Sequence, residues 1–148
     1  MKLPVIKFKK LDEKAELPKR GSESAAGYDL HAVLDDDIII KPCETVKIHT
    51  GLASEIPEGF FGAIFARSGL ATKQGLRPSN CVGVVDSDYR GEVIVAIYND
   101  SDKERCIRNG DRVAQLVILQ FLPFEPIWSD DLSDTNRGSG GFGSTGVR

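Results

Sequence analysis

Turn-forming residues recur at short intervals along this chain, and this pattern most constrains the fold. Pro42, Pro57-Glu-Gly59, Asn99-Asp-Ser101 and Asn109-Gly-Asp111 separate short apolar runs, and Asn-Gly is a strong turn signal. The runs are rich in β-branched and aromatic residues, which favour strands. The spacing therefore predicts many short strands joined by tight turns.

The apolar runs predict two kinds of strand. Short or alternating runs indicate half-buried strands at residues 5–11, 28–33, 38–40 and 46–49. Continuous runs predict core strands covered on both faces at residues 59–65, 93–98 and 113–121.

A single short helix is predicted at residues 68–73, with Ser68 as its N-cap. Strands and helices do not alternate along the chain. The pattern therefore predicts an all-β fold, either an antiparallel β-barrel or a jelly-roll-like sandwich.

The length of 148 residues suits one domain. Its composition changes at Pro123, where prolines and then glycines and serines replace the apolar runs. We expect residues 1–122 to form the β-barrel domain and residues 123–148 to form a C-terminal arm with a glycine-rich tail.

Charge and cysteine content exclude several functions. A net charge of −3 and a pI near 5.4 argue against a nucleic-acid polymer as partner. Cys43, Cys81 and Cys106 have neither zinc-site spacing nor an even count, so we expect reduced core thiols. His31 and His49 are expected to be surface histidines or histidines with satisfied hydrogen bonds.

Neither a signal peptide nor an apolar run long enough to span a membrane is predicted, and we expect a cytoplasmic location.

The stretch from Asn80 to Gly91 places two acids and a tyrosine between apolar runs, so a β-hairpin is predicted there. Asp-Ser-Asp at residues 86–88 is also ordinary turn composition, and a plain solvated hairpin is the alternative. Polar groups on a rigid β-scaffold are nevertheless well placed for chemistry.

Three other segments also have two interpretations. Arg67 and Ser68 lie where a strand meets a helix, which suits either an anion site or a simple capped helix. Asp29 lies two residues after Gly27, at the start of a predicted strand, and is either a turn acid or a metal-associated acid. Gln115 lies in an apolar run, where such a residue usually faces outward or bonds the backbone.

The tail at residues 138–143 fits the pattern G-x-G-x-x-G, but neither a strand before it nor a helix after it is predicted, which excludes a dinucleotide site. Its composition is typical of a disordered end. The alternative is a segment that closes over phosphates, with Phe142 stacking on a base.

Five segments, taken together and in order, resemble the five motifs of the trimeric deoxyuridine triphosphatases (dUTPases). They are Ala25-Ala-Gly-Tyr-Asp-Leu30, Ala66-Arg-Ser-Gly-Leu-Ala71, Gly83-Val-Val-Asp-Ser-Asp-Tyr-Arg-Gly91, Gly110-Asp-Arg-Val-Ala-Gln-Leu116 and Arg137-Gly-Ser-Gly-Gly-Phe-Gly-Ser-Thr-Gly146. The third and fifth are specific even singly.

The resemblance implies Mg²⁺-assisted hydrolysis of dUTP to dUMP and pyrophosphate, by attack of water on the α-phosphorus. That reaction lowers dUTP and supplies dUMP for thymidylate synthesis. By this resemblance Asp86 is the general base and Asp29 reaches the metal through water. The residues implied to bind phosphate are Arg67, Ser68, Gly69, Gln115, Arg137, Ser144 and Thr145.

The resemblance also implies that the main chain of residues 80–84 reads uracil and that Tyr89 excludes a ribose hydroxyl. The residues implied to bind uracil and deoxyribose are Asn80, Gly83, Val84, Tyr89, Phe142 and Gly143. A homotrimer with shared active sites is expected, in which the tail closes a site of a neighbouring subunit.

Two alternatives stay open at this point. A deoxycytidine triphosphate deaminase resembles the family in fold but needs a catalytic glutamate near the hairpin. A trimer that binds nucleotides or a partner without catalysis is the other alternative, and the presence of Asp86, Arg67 and the tail argues against it.

Overall fold

The computed structural model describes residues 5–141 of the chain. Short strands dominate this part, as the turn spacing predicts. The elements are β1 (Lys7–Lys10), β2 (Lys19–Arg20), β3 (Tyr28–His31), β4 (Ile38–Ile40), β5 (Thr45–Glu55), β6 (Phe60–Phe65), α1 (Ser68–Gln74), β7 (Leu76–Pro78), β8 (Gly83–Val85), β9 (Glu92–Asn99), β10 (Arg105–Ile107) and β11 (Arg112–Gln120).

The strands form three antiparallel sheets. One sheet has the order β2-β3-β11-β6-β8, a second has the order β1-β5-β9-β7, and β10 pairs with β4 in a small third sheet. The expected all-β, jelly-roll-like fold with one short helix is confirmed.

All three sheets contribute to one apolar core. Leu30 and Leu116 enter it from the five-stranded sheet, Ile48 and Ile97 from the four-stranded sheet, and Ile40 from the small sheet, each at most 3% exposed. Burial of each such side chain stabilises the fold by about 1.5–3 kcal/mol. The core therefore fixes the strands whose ends carry the polar residues described below.

Strand β9 does not have both faces covered, contrary to the prediction for residues 93–98. Val93, Val95 and Ile97 are buried, whereas Ile94 between them is 38% exposed. Within one chain this sheet packs on the core by one face only. In β6, by contrast, the three consecutive residues from Gly62 to Ile64 are all buried.

The predicted N-cap of α1 is wrong. Arg67 occupies that position in an extended conformation, and no side chain caps the helix. The helix ends at Gly75, whose φ of 68° is left-handed and suits glycine.

The cysteines are not core thiols. Cys43 and Cys81 are exposed and Cys106 is only half-buried. Cys43 and Cys81 have φ of 61° and 62°, so both occupy left-handed turn positions at the surface.

The two histidines differ from each other. His49 Nδ1 is 2.8 Å from Glu92 Oε2, which fits the expectation of a satisfied histidine. His31 Nδ1 is buried without a hydrogen-bond partner among the described residues, so that expectation is wrong for His31.

Beyond β11 the chain is exposed from residue 121 to residue 139. Apolar side chains are exposed as well, including Phe124 at 84% and Trp128 at 102%. Among residues 5–141, no helix has the length and apolar character needed to cross a membrane.

Candidate active site

Several polar side chains converge where β3, β11 and the end of β6 lie side by side. β11 pairs with β3 on one side and with β6 on the other, and Gln115 is the register partner of both Asp29 and Phe65. The chain leaves β6 through Arg67, so this side chain lies beside the same residues. Together they line a cavity of about 410 Å³, the Arg67 cavity.

Charge in the Arg67 cavity comes from one acid and two arginines. Arg67 Nε donates to Asp29 Oδ1 at 2.8 Å, and Arg112 Nη1 donates to Asp29 Oδ2 at 3.3 Å. The Asp29 side chain is 15% exposed and that of Arg67 is 26% exposed. Two cations against one carboxylate leave a net positive charge, which favours an anionic ligand.

Gln115 fixes the turn that carries Arg67. Its Nε2 donates to the Ala66 carbonyl at 2.9 Å, so the expectation that it bonds the backbone is confirmed. The Gln115 amide has space only because residue 27 is a glycine. A Cβ at Gly27 would lie 2.1 Å from Gln115 Oε1. The second N–H of this amide is not used by the bond to Ala66.

Ser68 and Gly69 are exposed on the rim of the Arg67 cavity. The first hydrogen bond of α1 runs from Ala71 N to the Arg67 carbonyl. The N–H groups of Ser68 and Gly69 therefore have no partner within the helix.

The stretch from Asn80 to Gly91 borders a second cavity of about 240 Å³, the Asp86 cavity. Asn80, Gly83, Val84, Asp86 and Tyr89 all line it, so the structure brings together these five predicted site residues.

The two strands of this stretch do not form a hairpin. β8 pairs with β6, whereas β9 pairs with β5 and β7 in the other sheet. The predicted β-hairpin is therefore wrong, because the two strands enter different sheets and have no common ladder. As a result, β8 is an edge strand, and its outer main-chain groups have no ladder partner among the described residues.

Asn80 and Gly83 lie close together at the start of β8. A Cβ at Gly83 would lie 3.5 Å from the Asn80 Nδ2 atom. The left-handed Cys81 and a hydrogen bond from Val82 N to the Asn80 carbonyl form the tight turn between them. The Asn80 amide therefore lies near the start of β8.

A hydrogen bond from Tyr89 N to the Asp86 carbonyl closes the turn that carries both Asp86 and Tyr89. The Asp86 carboxylate is exposed and forms no hydrogen bond with the described residues. Tyr89 is 46% exposed, and its hydroxyl donates to the Glu92 carbonyl at 3.0 Å. The carboxylate is not engaged by any of the described residues, while the tyrosine hydroxyl is anchored.

The two cavities of one chain are separate. They have no lining residue in common. Gly62 of β6 pairs with Val85, next to Asp86, and Arg67 lies five residues further along the chain. Five extended residues place Arg67 roughly 16 Å from Gly62 along the strand direction.

The tail residues do not reach either cavity within residues 5–141. Arg137 Nε donates to the Gly140 carbonyl at 2.9 Å, a contact within the arm itself. The predicted residues Phe142, Gly143, Ser144 and Thr145 lie outside the described residues.

Sequence reasoning did not assign a role to Gly27 or Arg112. Both lie within quoted motifs, but neither has a distinctive sequence signal, because a glycine or an arginine near a turn is common. Only the structure shows that Gly27 accommodates the Gln115 amide and that Arg112 is the second partner of Asp29.

Comparison with known proteins agrees with this geometry. The dUTPase family model matches residues 13–146. The Desulfitobacterium hafniense deoxyuridine 5'-triphosphate nucleotidohydrolase is 49% identical over 143 residues, which cover 96% of this chain and 95% of that protein.

Solved structures agree as well. A point mutant of the Staphylococcus bacteriophage 80alpha dUTPase, in complex with dUpNHpp, superposes with a TM-score of 0.85 at 28% identity, covering 98% of this chain and 100% of that one. A point mutant of the dUTPase from phage phi11 of S. aureus superposes with a TM-score of 0.77 at 27% identity, covering 88% of this chain and 100% of that one. That protein is described as coordinating a structural Mg(II) ion.

Both the family model and the relatives have hydrolase names, which argues against the deaminase alternative. The match spans nearly the whole chain and includes all five quoted segments. The chain therefore belongs to the dUTPase family, whose members hydrolyse dUTP to dUMP.

Proposed function

We propose that this chain hydrolyses dUTP to dUMP and pyrophosphate by attack of water on the α-phosphorus, with Asp86 as general base. The observation that carries the proposal is the exposed Asp86 carboxylate, which is not used by any hydrogen bond of the described residues and lies beside the free edge of β8. Asp86 accepts a proton from the attacking water as the water oxygen bonds to the α-phosphorus. The bond from the α-phosphorus to the oxygen that bridges to the β-phosphate breaks, and pyrophosphate leaves with that oxygen.

The Arg67 cavity binds the triphosphate. Arg67, oriented by Asp29, supplies a guanidinium whose Nη donors are not used by the Asp29 bond, together with the N–H groups of Ser68 and Gly69. Gln115 lines the same cavity, and one N–H of its amide is not used by the bond to Ala66. Because general-base catalysis supplies only part of such a rate enhancement, these groups contribute much of the catalysis by positioning the phosphates and neutralising their charge.

The Asp86 cavity selects the nucleoside. Uracil presents acceptor, donor and acceptor groups along one edge, and the free edge of β8 with the Asn80 amide offers complementary groups. Cytosine would leave buried polar groups unpaired, which carries a large penalty. Tyr89 lies under the sugar and leaves no space for a ribose 2'-hydroxyl, and Phe142 stacks on the base.

Mg²⁺ fits this site only together with the substrate. Within residues 5–141, no group of three histidine, cysteine or acidic side chains is arranged to hold a metal. Asp29 is the single acid lining the Arg67 cavity, and both of its oxygens accept bonds from arginines. Mg²⁺ prefers oxygen ligands and keeps several waters, so the triphosphate would hold it and Asp29 would contact it through water. When bound, the ion would neutralise phosphate charge.

The separation of the two cavities supports a homotrimer with shared sites. The Asp86 cavity of one subunit and the Arg67 cavity of another together hold one nucleotide. The arm then provides the third part, because the chain from Phe121 to Arg137 could span roughly 50 Å if extended. Arg137, Ser144 and Thr145 of the tail cover the phosphates. In this division, residues 1–122 form the nucleotide-binding domain and residues 123–148 the closing arm.

A pyrophosphate-release assay with dUTP, dTTP, dCTP and UTP tests the proposal. We expect release from dUTP alone at a useful rate, with Mg²⁺ added. Ammonia release from dCTP would instead support the deaminase, and binding of dUTP without turnover would support a non-catalytic trimer. The proposed role of lowering dUTP and supplying dUMP fits the predicted cytoplasmic location.

A further inference from the structure

Glu92 joins the Asp86 cavity to the neighbouring strand. Its Oε1 accepts a hydrogen bond from Gly51 N at 2.8 Å, and its Oε2 is 2.8 Å from His49 Nδ1. The side chain is 22% exposed, so both contacts are partly shielded from water. Glu92 lines the Asp86 cavity and, on its other side, a cavity of about 350 Å³ that also contains His49 and Gly51.

His49 and Gly51, the two partners of Glu92, lie at a β-bulge of β5. The β5–β9 register shifts between His49 and Ala53. Within this bulge Thr50 is 1% exposed and its hydroxyl donates to the Val93 carbonyl at 2.6 Å, while Gly51 has a φ of 64°. The bulge is therefore a rigid support for the Glu92 carboxylate.

The main chain of Glu92 holds Tyr89. The Tyr89 hydroxyl donates to the Glu92 carbonyl at 3.0 Å. The ring lies directly over Gly91, where a Cβ would be 2.4 Å from the hydroxyl oxygen and 2.6 Å from Cζ. The position of the ring thus depends on where the Glu92 peptide is held.

We propose that Glu92 is a positioning residue for sugar selection, because its side chain ties the peptide that anchors Tyr89 to the bulge of β5. This inference rests on the proposed role of Tyr89 in excluding a ribose hydroxyl. Glu92 does not touch the reacting atoms, so its loss affects the choice between dUTP and UTP more than the rate on dUTP.

The test compares Glu92→Ala and Glu92→Gln by the ratio of kcat/KM for dUTP to kcat/KM for UTP. We expect this ratio to fall about tenfold in the alanine variant, since small misplacements of positioning groups have effects of this size or larger. Glutamine can still accept from Gly51 N and donate to His49, so its ratio should stay near that of the unchanged protein.

Glu55→Ala is the matched control, because it removes a carboxylate of the same sheet that contacts Lys7 instead. An unchanged ratio in Glu92→Ala, or an equal loss in Glu55→Ala or Glu92→Gln, would overturn the inference. Should Glu92→Ala fail to fold, His49→Ala decides. This substitution removes one of the two groups that hold the Glu92 carboxylate, and the fold should tolerate it because the His49 side chain is 55% exposed. An unchanged dUTP-to-UTP ratio in His49→Ala overturns the inference.

The outcomes also separate this inference from the proposed function. An unchanged protein that does not hydrolyse dUTP refutes the proposed function itself. Normal dUTP hydrolysis combined with an unaltered sugar preference in Glu92→Ala refutes only the positioning role.

Discussion

Asp29 and Arg67 are 38 residues apart in the sequence and form a hydrogen bond of 2.8 Å between Oδ1 and Nε. They meet because β11 lies between β3 and β6 and aligns Gln115 with both strands. The pair is mostly shielded from water, so the bond directs the guanidinium strongly. Orientation of Arg67 is therefore a property of the sheet and not of α1.

Asp29→Asn should weaken phosphate binding. Hydrogen bonds to charged groups contribute about 1.5–3 kcal/mol each, and the neutral amide loses this charge assistance to Arg67 and Arg112. We expect kcat/KM for dUTP to fall by about tenfold or more, measured by steady-state pyrophosphate release. Asp37→Asn is the control, since Asp37 pairs with Arg108 outside both cavities. Equal losses in both variants would contradict a specific role of Asp29.

Gly27→Ala should disturb the phosphate site through Gln115. The added Cβ overlaps Gln115 Oε1 at 2.1 Å and displaces the amide from the Ala66 carbonyl. We expect KM for dUTP to rise about tenfold with a small change in melting temperature. Gly21→Ala tests specificity, because Gly21 lines the same cavity but has open space around it. A normal KM in the Gly27 variant would contradict the prediction.

Strand positions could be predicted from the sequence because alternation and turn residues act locally. Residues 38–40 match β4 at both ends, and the predicted run 59–65 overlaps all of β6. The hairpin predicted at residues 80–91 is wrong because β8 and β9, which flank the turn, do not pair with each other but with elements distant in sequence.

In the Arg67 cavity too, the sequence predicts local features but not contacts between distant residues. The residue types near Asp29, Arg67 and Gln115 were recognised, but their contacts depend on sheet order. Gly27 and Arg112 act through side-chain packing, and the sequence carries no signal for that packing.

Asp86→Asn should abolish most turnover without affecting the fold. The side chain is exposed and forms no hydrogen bond with the described residues, so its neutral isostere should leave the melting temperature unchanged. General-base catalysis contributes about 10²–10⁴-fold, and we expect a loss of kcat in that range. Binding of a non-hydrolysable dUTP analogue, measured by calorimetry, should persist. Asp88→Asn, in the same exposed turn, should keep its activity; a comparable loss there would refute the assignment to Asp86.

Truncation after Asn136 should cut turnover sharply while the barrel stays intact. Residues 121–139 are exposed in the single chain, and none of the core residues among residues 5–141 lies beyond residue 136. We expect an unchanged melting temperature and a fall in kcat/KM of about a hundredfold, since several phosphate contacts are lost together. Removal of Val147 and Arg148 alone is the control. Full activity of the longer truncation would support the alternative of a disordered end without function.

Mixing two inactive variants should restore activity if each site combines residues from different subunits. Asp86 and Arg67 line separate cavities of one chain. In trimers reassembled from equal amounts of Asp86→Asn and Arg67→Gln, about one quarter of the sites would receive both native residues. Turnover should therefore recover to about that fraction, measured after joint refolding and confirmation of trimers by sedimentation. Asp86→Asn mixed with Asp86→Ala should recover nothing, and an equally inactive Asp86–Arg67 mixture would mean that one subunit supplies both residues.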